Sequence, residues 1–179
     1  MAERIYLDHA ATTPMREQAI AAVEAGMRSF ANPSSPHAEG RAARAALEDA
    51  RARIRSALGW DGELIFTSGA SEAIAIALGR GKGRDRLVSA IEHDSVLRAS
   101  GDAKRIPVLP SGQVNRDLLA ALLSRSEAPL VAIQHVNSEL GTIQPIDAIA
   151  AQVRASGGLL FADCSQSAGK HALPDADLI

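Results

Sequence analysis

The chain predicts an α/β fold, a three-layer sandwich in which helices cover both faces of a mostly parallel sheet. Two observations carry this. Short apolar runs alternate with longer amphipathic ones along all 179 residues, the pattern of strand–helix–strand units. The polar groups with chemical potential fall at the ends of those short runs or in loops, where such sheets place their ligands.

Taken in order, the first amphipathic run predicts a helix over Arg16–Phe30, and a second helix follows over His37–Leu58. The second has the clearest signature. Arg41 to Glu48 is built of strong helix formers without proline. Ala43, Leu47, Ala50, Ile54 and Leu58 recur at helical spacing, with Arg44, Glu48, Arg51 and Arg55 beside them. A strand is expected at Glu63–Thr67, then a helix over Ser71–Leu78 and a strand over Arg86–Ala90. Helix Asp94–Ser100, strand Arg105–Leu109 and helix Asn115–Leu123 come next. Strand Leu130–Val136, helix Ile146–Ala155 and strand Leu159–Asp163 complete the series. Gly157-Gly158 closes the last helix, because glycine accepts the left-handed conformation found there. There is no repeat, low-complexity tract or clear linker.

Composition narrows the function. With 46% hydrophobic and 22% charged residues, this is an ordinary globular chain with enough material for a core. A net charge of −2 leaves no basic footprint for nucleic acid. No apolar run approaches the roughly 20 residues that span a membrane, and the start MAERIYLDHA is not a signal peptide. The single cysteine, Cys164, excludes an internal disulfide and fits a reducing, cytoplasmic setting. Pro174-Asp175-Ala176-Asp177-Leu178-Ile179 reads as a turn followed by the first residues of a buried strand. The expectation from that ending is a truncated or split protein, incomplete at its C-terminus.

Asp163, with Gln166 three positions on in FADCSQSAGK, is the most informative pair. A carboxylate at a strand end can hold a heteroaromatic ring nitrogen in its protonated form, and a nearby amide can donate to the ring's hydroxyl. Both needs arise together around pyridoxal 5′-phosphate, whose pyridinium nitrogen draws electrons from a substrate carbanion. Thr67-Ser68-Gly69-Ala70-Ser71-Glu72 joins a strand to a helix, and the free amides of a helix start bind phosphate. The same residues equally suit a plain capping turn. His93, in Ile91-Glu92-His93-Asp94, can stack on a flat ring and move protons near neutral pH, or can be a surface residue beside a cap supplied by Asp94-Ser95. Asn137 and Ser138 in Val136–Gly141 can bond a ligand or simply satisfy loop backbone. Asn32–His37 is a rigid turn into a helix. The five histidines and one cysteine have no metal-ligand spacing. Cys164 suits a small buried residue better than a nucleophile, and Lys170 lies in no Walker sequence.

Order and coincidence lift these signals together. The chain resembles the cysteine desulfurases, within the class V aminotransferase group of fold-type I pyridoxal-phosphate enzymes, nearly end to end. Tyr6 to Pro14 is similar to the family's opening strand and turn. Asn32 to Ser35 with His37, Gly40 and Ala43 is similar to its NPSS-x-H-x-x-G-x-x-A segment. Thr67 to Glu72 resembles its phosphate turn, Glu92-His93 its ring-stacking histidine, Asn137 to Gly141 its N-x-E-x-G loop, and Asp163 to Ser167 its Asp-x-x-Gln-Ser.

The resemblance implies that Ala70 and Ser71 bind the cofactor phosphate and that His93 stacks on the ring and acts as acid or base. It also implies that Asp163 keeps the ring nitrogen protonated and Gln166 bonds the ring oxygen. Ser138 stands where members commonly carry an asparagine facing the cofactor, and Ala73-Ile74-Ala75 is more apolar than usual after the phosphate turn. Residues 1–30 would belong to the family's small-domain or arm region and 31–179 to its cofactor-binding large domain. The implied reaction takes L-cysteine to L-alanine and leaves the sulfur as an enzyme persulfide for an acceptor protein, as in iron–sulfur cluster assembly. The implied assembly is a homodimer or a pairing with a complementing C-terminal chain. The family's cofactor-anchoring lysine, thiol nucleophile and substrate-binding arginine follow later in its pattern, and Lys82, Lys104 and Lys170 occupy other places. A non-catalytic remnant, half of a split enzyme, or another class V lyase or aminotransferase are the alternatives.

Overall fold

The computed structural model describes residues 5–179, which divide into two compact units, one ending at Ile65 and the other running from Phe66 to Ile179. The first unit is built on two helices, α1 (Glu17–Arg28) and α2 (Ala38–Leu58). His37 caps α2 by accepting the Gly40 amide at its Nδ1. At the other end Gly59 adopts φ 65° and Trp60 N–H reaches back to Arg55 O at 3.0 Å, closing the carbonyls of the last turn. Gly40 is buried, and a Cβ there would meet Ser35 O at 2.3 Å. The Asn32–Ser35 turn and the start of α2 therefore pack backbone to backbone, which explains why glycine stands at this position. Among the described residues of this unit no large side chain is buried; Ile20, Val23 and Met27 of α1 all lie exposed.

The second unit holds the sheet. Its elements are α3 (Ala70–Arg80), β1 (Arg86–Ser89), α4 (Asp94–Ala99), β2 (Lys104–Ile106), α5 (Arg116–Leu123), β3 (Leu130–Gln134), α6 (Ile146–Ala155) and β4 (Leu159–Asp163). The four strands are ordered β2-β1-β3-β4 and every pairing is parallel. Strand side chains alternate between faces, and the core divides accordingly. Val131, Ile133, Leu87 and Leu160 pack with Leu119, Leu123, Ile149 and Val153 of α5 and α6. Leu130, Ala132, Val88 and Phe161 pack with Ile74 and Leu78 of α3 and Val96 of α4. The sheet is thus covered on both faces, and β3 is buried throughout.

Boundaries differ from the expected ones by a residue or two at most helix ends, where the last turns fray. One element is absent. Glu63–Thr67 joins no strand, and Ile65 and Phe66 are exposed. Its β-rich composition does not make it one of the four strands of the sheet. Strand Leu130–Val136 ends earlier, at Gln134, where the backbone turns into the loop that follows.

Gly157 takes φ 73° after α6, as expected from the glycine pair, and Gly158 lies against Pro129, where a Cβ would meet the Pro129 carbonyl at 2.7 Å. Beyond β4, Leu178 bridges in parallel to Phe161, with Leu178 N–H to Leu160 O at 3.0 Å. Arg154 pins that segment. Its Nη1 and Nη2 donate to the two carboxylate oxygens of Asp175 at 2.5 and 2.9 Å, and its Nε donates to Asp177 at 3.1 Å. Asp177 in turn accepts the Leu160 amide at 2.9 Å. The guanidinium holds the Asp175 carboxyl below its ordinary range. Because the pair is bidentate and shared with Asp177, Arg154→Ala should speed hydrogen exchange at the Leu178 amide by about fivefold. Unchanged exchange there would show that the ladder alone holds the segment.

Among the described residues no helix is long and apolar enough to cross a membrane.

Candidate cofactor site

Every element bordering the site delivers its residues from the carboxyl end of a strand or the start of a helix. A cavity of about 170 Å³ is lined by Ala70, Ser71 and Ile74 of α3, by His93 and Ser95 after β1, by Gln134, Val136 and Ser138 at the end of β3, and by Asp163, Ser165 and Gln166 at the end of β4. All six residues expected from the sequence to bind a cofactor (Ala70, Ser71, His93, Ser138, Asp163 and Gln166) line this one cavity. Sequence reasoning missed Ile74, Ser95, Gln134, Val136 and Ser165 as lining groups.

At α3 the N-cap Gly69 supplies no side-chain cap, and the first helical amides, Ala70 and Ser71, precede any helical carbonyl that could receive them. Glu72 instead reaches back to accept Ser68 N–H at 2.6 Å. Hydrogen bonds from Ser68 hold the Glu72 carboxyl below its ordinary range. The carboxylate thus reaches one residue past the N-cap, and it orders the turn without using the amides of Ala70 and Ser71. Ile74, more apolar than the residue the resemblance would place there, is 2% exposed and belongs to the core beneath the cavity.

His93 has two attachments. Its Nδ1 accepts Ser95 N–H at 3.2 Å and lies 2.7 Å from Ser95 Oγ. The cap of α4 is therefore His93 itself, not Asp94-Ser95, whose amide and hydroxyl serve as its partners. With Nδ1 accepting from a backbone amide, a neutral ring carries its proton on Nε2. Asn137 is buried and structural: its Oδ1 accepts Glu139 N–H and Leu140 N–H at 2.9 and 2.7 Å, and its Nδ2 donates to Ile91 O at 3.1 Å. That leaves Ser138, exposed on the cavity wall, as this loop's contribution.

Asp163 is fixed from one side. Its Oδ1 accepts both Ser165 N–H at 2.9 Å and Ser165 Oγ–H at 2.6 Å. The turn beyond is braced from behind by buried His135, whose backbone N–H meets Asp163 O at 2.9 Å and whose Nδ1 lies 3.0 Å from Ser167 Oγ. Burial, then the neighbouring His171, lowers the basicity of His135. Cys164 points into the core and burial pushes its thiol up to about 11, which suits packing and not nucleophilic attack. None of the three lysines lines the cavity.

This arrangement has known relatives. The chain matches the family Aminotransferase class-V over residues 5–177. It belongs to the class V aminotransferases. A cysteine desulfurase IscS from Dictyoglomus turgidum is 35% identical over 185 residues, covering 94% of this class V chain but 46% of that protein. A cysteine desulfurase IscS 1 from Archaeoglobus fulgidus is 36% identical over 180 residues, covering 92% and 47%. The crystal structure of a NifS-like protein from Rickettsia africae superposes with a TM-score of 0.89 at 31% identity, covering 96% of this chain and 51% of that one. The class V chain thus spans about half the length of the relatives it matches, and its fold is the corresponding portion of theirs.

Proposed function

We propose that this chain is the N-terminal, pyridoxal-phosphate-binding portion of a cysteine desulfurase. One observation carries the reading: the first residues of a helix, an imidazole and a braced carboxylate converge on one cavity at the carboxyl ends of parallel strands. The donor set fits the cofactor. The amides and hydroxyl at Ala70 and Ser71 suit its phosphate. Asp163, with one oxygen committed to Ser165, offers the other to a protonated ring nitrogen. Gln166 suits the ring oxygen, Ser138 the opposite wall, and His93 the ring face. When bound, pyridoxal 5′-phosphate supplies an electron sink for a substrate carbanion.

The chain's own residues then have defined tasks. Asp163 holds a proton on the ring nitrogen. His93, its Nδ1 occupied by Ser95, gives or takes a proton at Nε2. The apolar floor at Ile74 and Val136 excludes water from one side of the cavity. The substrate in this reading is L-cysteine, released as L-alanine, with the sulfur passing to an acceptor protein, and the working assembly is a dimer. A second reading, a protein that holds the cofactor without turning substrate over, draws on a cavity lining in which no lysine takes part.

The test is to supply the natural gene product with pyridoxal 5′-phosphate, L-cysteine and a thiol reductant, and to quantify alanine and sulfide. Matched formation of both is expected. Cofactor binding without either product would select the second reading.

A further inference from the structure

Glu92 is the one carboxylic acid of this unit buried beneath the site without a role so far. It is 6% exposed, and its Oε2 is buried with no hydrogen-bond partner. Its other oxygen has a specific task. Along β3, successive amides face opposite neighbours: His135 N–H donates to Asp163 O on the β4 side, so Gln134 N–H faces β1. But β1 ends at Ser89, and at Gln134 the ladder has no strand to bond to. Glu92 Oε1 fills that rung, accepting Gln134 N–H at 2.9 Å. The exchange is reciprocal, since Gln134 Nε2 and Asn137 Nδ2 both donate to the Ile91 carbonyl. The peptide that precedes His93 is therefore stapled to the end of β3 from both directions.

We propose that Glu92 is a positioning residue, whose side chain replaces the missing rung of the sheet and thereby fixes His93 at the cavity. The proposal rests on the reading of His93 as a cofactor-facing group. It assigns Glu92 a contribution made by reach and hydrogen bonding, not by charge. The charge state agrees: burial, partly offset by the bond from the Gln134 amide and reinforced by the nearby Asp163, raises the Glu92 carboxyl to about 8. An uncharged acid also tolerates an unpartnered Oε2 far better than a carboxylate would.

Two substitutions separate reach from charge in the full chain. Glu92→Gln keeps the length and an accepting oxygen; Glu92→Asp keeps the acid but falls one methylene short of Gln134. In Glu92→Gln, exchange at the Gln134 amide and the His93 ring resonances should match the parent within about twofold. In Glu92→Asp the orphaned amide should exchange roughly tenfold faster, and the His93 ring resonances should move and broaden. Affinity for pyridoxamine 5′-phosphate should follow the same order, near parental for Gln and about tenfold weaker for Asp. An Asp variant with parental His93 and Gln134 signals overturns the proposal, as does a Gln variant as perturbed as the Asp one. If the parent chain fails to bind the pyridoxamine ester, the reading of the site falls, and the resonance measurements still decide whether Glu92 holds His93.

Discussion

Asp163→Asn should weaken the binding of pyridoxamine 5′-phosphate by roughly ten- to a hundredfold, the loss expected when a hydrogen bond to a charged partner is removed. The prediction follows from how the carboxylate is held. Oδ1 is taken by the Ser165 amide and hydroxyl, so the oxygen left for a ligand is fixed in direction before any ligand arrives. Asparagine keeps an oxygen for Ser165 and should leave the turn, and hence the fold, intact. What it cannot do is counter the charge of a protonated ring nitrogen. Pyridoxamine 5′-phosphate is the proper probe because its amine cannot bond covalently to Lys82, Lys104 or Lys170. Parental affinity in Asp163→Asn, with an unchanged melting transition, would remove Asp163 from the site.

The second large effect is on the pH dependence of stability. Glu92 sits at about 8 in the folded chain against 4.5 for an ordinary glutamate. Between those values the folded state binds more protons than the unfolded one, so stability declines with rising pH. The contribution is fully present below about 4.5, is lost progressively as pH climbs toward 8, and is flat beyond. Glu92→Gln removes the titration. Parent and Glu92→Gln should therefore diverge across this window, the parent losing more of its denaturant midpoint as pH rises. Parallel profiles would mean that Glu92 ionises normally in the folded chain.

The sheet was legible because burial on two faces imprints itself on sequence. Leu130–Gln134 and Leu159–Asp163 are apolar at almost every position, and both strands send side chains into each of the two core clusters, Val131, Ile133, Leu160 and Ala162 to one and Leu130, Ala132 and Phe161 to the other. Glu63–Thr67 shares their composition and is not a strand, since composition records propensity and not which segments the chain brings side by side. The cavity's residues were legible for a different reason: polar groups at strand ends stand out against the apolar runs they follow.

Supporting residues were hidden for the converse reason. Glu92 stands among Ile91, His93 and Asp94 in a stretch that reads as a solvated loop, and nothing local reveals that a strand ends one rung short beside it. Ser95 reads as a helix cap, and only the fold shows that its amide and hydroxyl serve His93. Asn137 has the profile of a ligand-binding amide, yet its hydrogen bonds are all spent on the loop and on Ile91.

Titrating the chain with pyridoxamine 5′-phosphate while following the ligand's phosphorus resonance decides whether these strand ends form a pyridoxal-phosphate cradle. Saturable, one-site binding that inorganic phosphate displaces, accompanied by shifts in the His93 ring signals, is the predicted result. Binding that never saturates, or that saturates without disturbing His93, would contradict it.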